Sequence, residues 1–222
     1  MSTGAARQHV ALVTGVGGIV GQAILDRLQA DGFLVAGLDR ERGAGDLALQ
    51  VDATDRGAMI AAADRVAREL GPISVLVTAA TYHDAAPFGD MSRDRWQRLL
   101  AAHLGATVNA CAAAAPAMVR AGRGTVVTTS SWIALAGIPG EAYYAAATGS
   151  ILAFTKSFSL EVAPDGVRVN CIAVGPVDET SSPTAGASVQ PADVAATISF
   201  LVNNGDFFVG QVLCPGAGAV LV

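Results

Sequence analysis

His9-Val10-Ala11-Leu12-Val13-Thr14-Gly15-Val16-Gly17-Gly18-Ile19-Val20-Gly21 decides the fold. An apolar run short enough to be a strand breaks at a glycine cluster and resumes as a helical pattern toward Ala30. Glycine at such a turn lets the backbone bend tightly and approach a pyrophosphate held at the following helix N-terminus. A tight strand-to-helix turn also requires glycine for its own sake, so the cluster carries weight only through its surroundings.

Those surroundings repeat the unit. Apolar runs predict strands at His9–Thr14, Phe33–Asp39, Leu47–Asp52, Ile73–Thr78, Gly124–Thr129, Val167–Ile172 and Gln211–Cys214. Helices are expected near Gly18–Ala30, Asp55–Leu70, Arg93–Arg120, Ala142–Ala163 and Pro191–Val202, with Asp31-Gly32, Gly71-Pro72 and Gly122 as stops. Alternation of this kind gives an α/β fold: a doubly wound parallel sheet, the Rossmann arrangement, of about seven strands with helices on both faces. Its ligand crevice lies at the carboxyl ends of the strands. The 222 residues, 52% hydrophobic, read as one domain spanning 1–222.

Fourteen basic against nineteen acidic residues give a net charge of −5 without a Lys/Arg block, which argues against nucleic acid or an anionic membrane as partner. Ala101 to Val119, the richest apolar run, is interrupted by His103, Asn109 and Pro116, and no membrane span is expected there. Cys111, Cys171 and Cys214 are odd in number and sit in apolar elements; reduced thiols and a cytoplasmic location are expected. No metal-ligand cluster is read from the sequence.

Asp39 ends the second strand, where a carboxylate accepts hydrogen bonds from adenosine ribose hydroxyls and repels a 2′-phosphate, favouring NAD over NADP. A solvated turn aspartate fits the same position, and Arg40 and Arg42 beside it offer charge to a phosphate. Asp55 after the third strand suits a helix cap.

Ser130-Ser131 follows the fifth strand, and Tyr144 stands thirteen residues beyond Ser131 at the start of an alanine-rich helix. This stretch resembles the active-site segment of the short-chain dehydrogenase/reductase family, a Ser and then Tyr-x-x-x-Lys, with Thr148 in the lysine's place. The resemblance covers essentially the whole chain. It implies that Ser131 holds the substrate oxygen, that Tyr144 exchanges a proton with it, and that nicotinamide exchanges hydride with its carbon. Ser130 and Tyr143 are the neighbours that control for a misregister. The glycine turn fits two family registers: one puts Ile19 where the middle glycine belongs, and the other uses Gly15, Gly18 and Gly21. Asp52 matches a position at the adenine, Ala80 is what remains of the family's Asn-Asn-Ala-Gly, and Gly175-Pro176-Val177 through Thr180 resembles the cofactor clamp. Trp96 is in register with the family's long helix, whose internal asparagine aligns with His103. An imidazole there either moves protons or is a buried histidine satisfied by a backbone carbonyl. Tyr82-His83-Asp84 lies at the crevice mouth, as a substrate contact or a solvated loop. The small residues Ala110 to Ala117 imply close helix packing, as in the family's homodimers and homotetramers.

Thr148 cannot act as a cation, and Lys156, the only lysine, lies roughly 18 Å along the helix from Tyr144. Without a cation, a tyrosine titrating near its reference of about 10 is ionised in roughly one molecule per thousand at pH 7. Alcohol oxidation needs that phenolate as base, whereas carbonyl reduction needs only the phenol as acid. Three functions remain open: an NAD-preferring oxidoreductase acting on a small carbonyl or alcohol with an altered tetrad; a catalytically silent homologue serving as partner subunit or sensor; and a non-redox enzyme of the halohydrin dehalogenase type.

Overall fold

A computed structural model describes residues 9–177, 188–216 and 218. The strands are β1 (Val10–Thr14), β2 (Leu34–Asp39), β3 (Ala44–Gly45), β4 (Leu47–Gln50), β5 (Ile73–Thr78), β6 (Gly124–Ser131), β7 (Val167–Val174) and β8 (Val212–Leu213). The helices are α1 (Ile19–Ala30), α2 (Arg56–Glu69), α3 (Arg93–Leu100), α4 (Ala106–Arg120), α5 (Ile133–Ala136), α6 (Ala142–Val162) and α7 (Pro191–Asn204). Seven strands form one sheet in the order β4-β2-β1-β5-β6-β7-β8, and all six pairings are parallel. The order reverses between β1 and β5, which opens a crevice above their carboxyl ends.

The sheet is apolar on both faces because both are covered. Val10 and Leu12 of β1 pack with Met59, Val66, Ala110 and Met118 from α2 and α4, while Ala11 and Val13 pack with Ile24, Leu28 and Ile198 from α1 and α7. Successive strand side chains point to opposite faces, so an uninterrupted apolar run is what such a strand requires. The expected helices and strands are present, with differences at their ends. β6 and β7 each run two residues further than the apolar pattern predicts, as Ser130 and Ser131 pair with Ala173 and Val174. The β2-to-β4 connection carries only the short β3 instead of a helix. Asp46 holds it down, accepting from the Val35 amide at 2.8 Å and from the Gln29 side chain at 3.0 Å.

The expected long helix from Arg93 to Arg120 contains one π-helical turn, Ala101–Gly105, between α3 and α4. Such turns insert an extra residue and redirect a side chain; here it is His103, which is 3% exposed. By length and hydropathy alone this helical run could cross a membrane, but it is packed on the sheet and 44% of its most apolar window is buried.

Two hydroxyl contacts fix α6 against β6. Thr128 and Thr155 share a hydrogen bond of 2.7 Å, and Ser130 donates to the Thr148 carbonyl at 2.8 Å. Thr128 and Ser130 share one face of the strand, and Thr148 and Thr155 lie two turns apart on the helix. This docking carries the first turn of α6, and Tyr144 with it, over the end of β6.

Candidate active site

The glycine turn sits at the crevice floor, and three of its four glycines have different reasons to be glycine. Gly15 has φ 75°, and a Cβ there would stand 2.5 Å from the Ala79 carbonyl oxygen and the Ala80 backbone. A Cβ on Gly21 would overlap the Gly15 carbonyl, so α1 and the turn can close only on glycine. Gly18 is different: its Cβ would meet only the Gly15 oxygen, at an ordinary 3.6 Å, leaving open space on the crevice side. Gly18 caps α1 without a side-chain cap bond, and the first-turn amides of a helix lack intrahelical partners, which is what a pyrophosphate site uses.

Two cavities meet at Gly18, Ala79 and Thr81. The first, about 160 Å³, is lined by Asp39, Val51, Asp52 and Ala80 among others. Asp39 is already engaged, with Oδ2 accepting from the Gly17 amide and Oδ1 from the Glu41 amide, both at 3.0 Å. Each oxygen keeps lone-pair capacity for a ribose hydroxyl. Asp52 accepts from the Thr54 hydroxyl at 2.7 Å and from its amide at 2.9 Å, and these bonds hold its carboxyl below the usual range. Asp55 caps α2 through the Ala58 amide at 3.0 Å.

The second cavity, about 800 Å³, is lined by Ile19, Thr81, His83, Ser131, Trp132, Ile133, Tyr144, Val174, Gly175 and Val177 among others. Ile19 is 48% exposed at its edge. Gly175 lies flat against Pro215 and Gly216. Val177 pairs with Val189 in an isolated parallel bridge, and the Val189 amide donates to the Pro176 carbonyl at 2.7 Å. Asp178, Glu179 and Thr180 of the expected clamp lie outside the described residues.

Ser131 and Tyr144 are brought together at the cavity floor. Burial is the largest influence on Tyr144 and pushes its phenol above the ordinary value, with the Glu141 carboxylate adding to the push; the Thr81 and Ser131 hydroxyls act against them by favouring the phenolate. The Ser131 hydroxyl also accepts from the Ile133 amide at 3.2 Å. The alternative register does not converge: Ser130 is bonded to Thr148, and Tyr143 stacks on Phe88 at 5.4 Å and donates to its carbonyl at 3.3 Å.

Thr148 is 1% exposed and turns its hydroxyl back along the helix, donating to the Tyr144 carbonyl at 2.8 Å. Lys156 lies far down an unbroken α6. No Lys or Arg lines this cavity among the described residues. His103 packs edge-on to the Tyr144 ring at 5.2 Å, and its Nε2–H donates to the Tyr82 carbonyl at 2.7 Å. Burial pushes the His103 imidazole down, against the effect of that bond, and His83 beside it adds to the push. The carbonyl-satisfied form of this histidine is the geometry observed. Thr81 and Glu141 are site residues that sequence patterning did not single out for chemistry, whereas His83, expected at the crevice mouth as a substrate contact or a solvated loop, lines the cavity and pairs with Glu141.

The profile of the short chain dehydrogenase family matches residues 9–188. The chain belongs to the short-chain dehydrogenase/reductase family. It is 29% identical to meso-2,3-butanediol dehydrogenase of Serratia marcescens, over 94% of this chain and 93% of that protein. It is 31% identical to the short-chain reductase protein NovJ of Streptomyces niveus, over 88% and 87% of the two chains. A solved structure titled ribose-5-phosphate isomerase from Brucella melitensis 16M superposes with a TM-score of 0.86 at 24% identity, covering 96% of this chain and 93% of its own, and this likeness concerns the fold alone. As a short-chain dehydrogenase-type oxidoreductase, the chain is of a class that uses a nicotinamide dinucleotide, NAD or NADP. The paired cavities on either side of Gly18 suit the two halves of such a molecule.

Proposed function

We propose that the protein is an NAD-preferring oxidoreductase that reduces a small carbonyl compound, using Ser131 and Tyr144. The observation that carries the reading is the convergence of Tyr144 with the Ser131 and Thr81 hydroxyls beside the glycine turn. Asp39 at the end of β2 supports NAD: a 2′-phosphate would meet its carboxylate. Gly18 and the first turn of α1 would hold the pyrophosphate, Asp39 and Asp52 the adenosine, and Val177 and Gly175 the nicotinamide end. When bound, the dinucleotide supplies hydride for the substrate carbon. Ser131 holds the substrate oxygen, and Tyr144 gives it a proton. Burial keeps Tyr144 protonated at neutral pH, which suits an acid and handicaps a base, so reduction is the favoured direction. A screen of neutral ketones, diketones and aldehydes with NADH, with Tyr144→Phe as control, tests this. Turnover lost in the variant is expected, and no turnover with any carbonyl contradicts it.

The absence of a described cation beside Tyr144 favours a second reading, a silent homologue that binds the dinucleotide as a sensor or partner subunit. The same screen separates the two. A homodimer or homotetramer through α4 and α6 is supported by an apolar groove of about 290 Å³ between them, lined by Cys111, Ala115, Val119, Phe154 and Phe158 among others. A cytoplasmic location accords with the three free thiols, of which Cys111 and Cys171 are buried.

A further inference from the structure

Tyr144 must recover its proton after each reduction, and the groups that could return it are few. The Thr148 hydroxyl is committed to the Tyr144 carbonyl, and the buried His103 has its Nε2–H committed to the Tyr82 carbonyl. Lys156 is at the far end of α6. Among the described residues, the titratable group left against the ring is His83, whose centroid lies 4.8 Å from that of Tyr144 in an edge-on contact at 76°. Its Nε2 lies 3.0 and 3.2 Å from the two carboxylate oxygens of Glu141, the cap residue of α6. The His83 side chain is 57% exposed and the Glu141 side chain 14%, so the imidazole packed against the Tyr144 ring is open to solvent while its carboxylate is sheltered.

The segment carrying His83 is held in place. Asp84 is paired with Arg95 of α3 through both carboxylate oxygens. Arg95 also donates to the Asp90 carbonyl at 3.5 Å and the Ala85 carbonyl at 3.4 Å, and the Ala86 amide donates to the Gly140 carbonyl at 3.1 Å. The loop is therefore tied both to α3 and to the turn preceding α6. His83 lines the same cavity as Ser131 and Tyr144. Besides Glu141, the titratable or charged groups around it are Asp84 on its own loop, Arg95 and Arg98 on α3, and His103 on the π turn.

We propose that His83, oriented by Glu141, acts through Tyr144 as the group that returns the tyrosine's proton from solvent, taking the part of the relay that Thr148 cannot. The inference rests on the oxidoreductase reading above. In the forward direction the substrate carbon gains the hydride electron pair, the C=O π pair moves to oxygen, and the Tyr144 O–H bond breaks to protonate it. The carbonyl is reduced and the dinucleotide oxidised. Protonated His83 then reprotonates the Tyr144 phenolate and takes a proton in turn from water at its exposed edge.

The test is chemical rescue. His83→Ala is expected to lower kcat about tenfold or more, with KM and NADH affinity nearly unchanged, and added imidazole should restore turnover in proportion to its concentration. His83→Gln should show the same loss, guarding against a folding artefact, and Glu141→Gln a smaller one. A readout without turnover accompanies these: ring signals of Tyr144 in NMR should shift in His83→Ala relative to the wild type, and added imidazole should move them back toward the wild-type positions. Unchanged kcat, a loss that imidazole does not rescue, or Tyr144 ring signals that do not change in His83→Ala, would each overturn the proposal. Failure of the oxidoreductase reading looks different: the wild type itself binds no NADH or turns over nothing, and both proposals then fall.

Discussion

Thr148→Lys places an ammonium one helical turn from Tyr144, where Cβ atoms are about 5–6 Å apart. A cation at that range lowers an acid's pKa by about 1–3 units, or about 1.4–4 kcal/mol in favour of the phenolate. Burial currently pushes Tyr144 the other way, so the substitution moves the phenol back toward or below its ordinary value. Opposing this, Thr148 is 1% exposed and its backbone carbonyl takes the Ser130 hydroxyl, so a longer side chain strains the α6–β6 contact by about 1–3 kcal/mol. Alcohol oxidation, which needs the base, should gain about tenfold or more, and carbonyl reduction less, with both optima moving to lower pH. The assay pairs steady-state rates in both directions with a tyrosinate absorbance titration, using Tyr144→Phe to assign the transition and Ala146→Lys on the exposed side of α6 as control. An unshifted Tyr144 transition in a folded Thr148→Lys protein refutes the reasoning.

Gly21→Ala should cost about 1–3 kcal/mol or more and abolish dinucleotide binding, since its Cβ overlaps the Gly15 carbonyl, whereas Gly18→Ala should fold normally; thermal denaturation and NADH titration separate them. Thr155→Val removes the shorter of the two bonds of the Thr128 hydroxyl, leaving its 3.3 Å bond to the Asn170 carbonyl, and should lower stability by about 0.5–1.5 kcal/mol in urea denaturation. Burial pushes the Cys111 and Cys171 thiols up to about 12, and Tyr144 is also raised. Their folded values lie above their unfolded ones, so the stability they contribute is intact below pH 9 and is lost as pH rises toward 12. Urea midpoints across that range check this, and in the native state a thiol reagent should label Cys214 long before the other two.

Much of the architecture was legible because a sheet covered on both faces leaves continuous apolar runs, and glycine or capping residues mark the helix ends. The strand ends were less so. Ser130 and Ser131 are polar, and only their pairing with β7 keeps them in the strand. Ser131, Tyr144 and the glycine turn could be located because their spacing along the chain reflects one strand and one helix. The partners of His103 and Thr148 could not, since a histidine bonded to a carbonyl 21 residues away and a threonine turned onto its own helix leave no local pattern. The same holds for His83 and Glu141, which are 58 residues apart and meet only because β5, whose following loop carries His83, is the sheet neighbour of β6, over whose end α6 begins.

The central claim, that the crevice above β1 and β5 holds a nicotinamide dinucleotide with Asp39 selecting against a 2′-phosphate, is tested most directly by titrating the protein with NADH and then NADPH. Energy transfer from Trp96 and Trp132 to the nicotinamide provides the signal, and calorimetry confirms the stoichiometry. Saturable NADH binding, tighter than NADPH and weakened in Asp39→Ala, is the predicted result; binding of neither dinucleotide by both methods contradicts it.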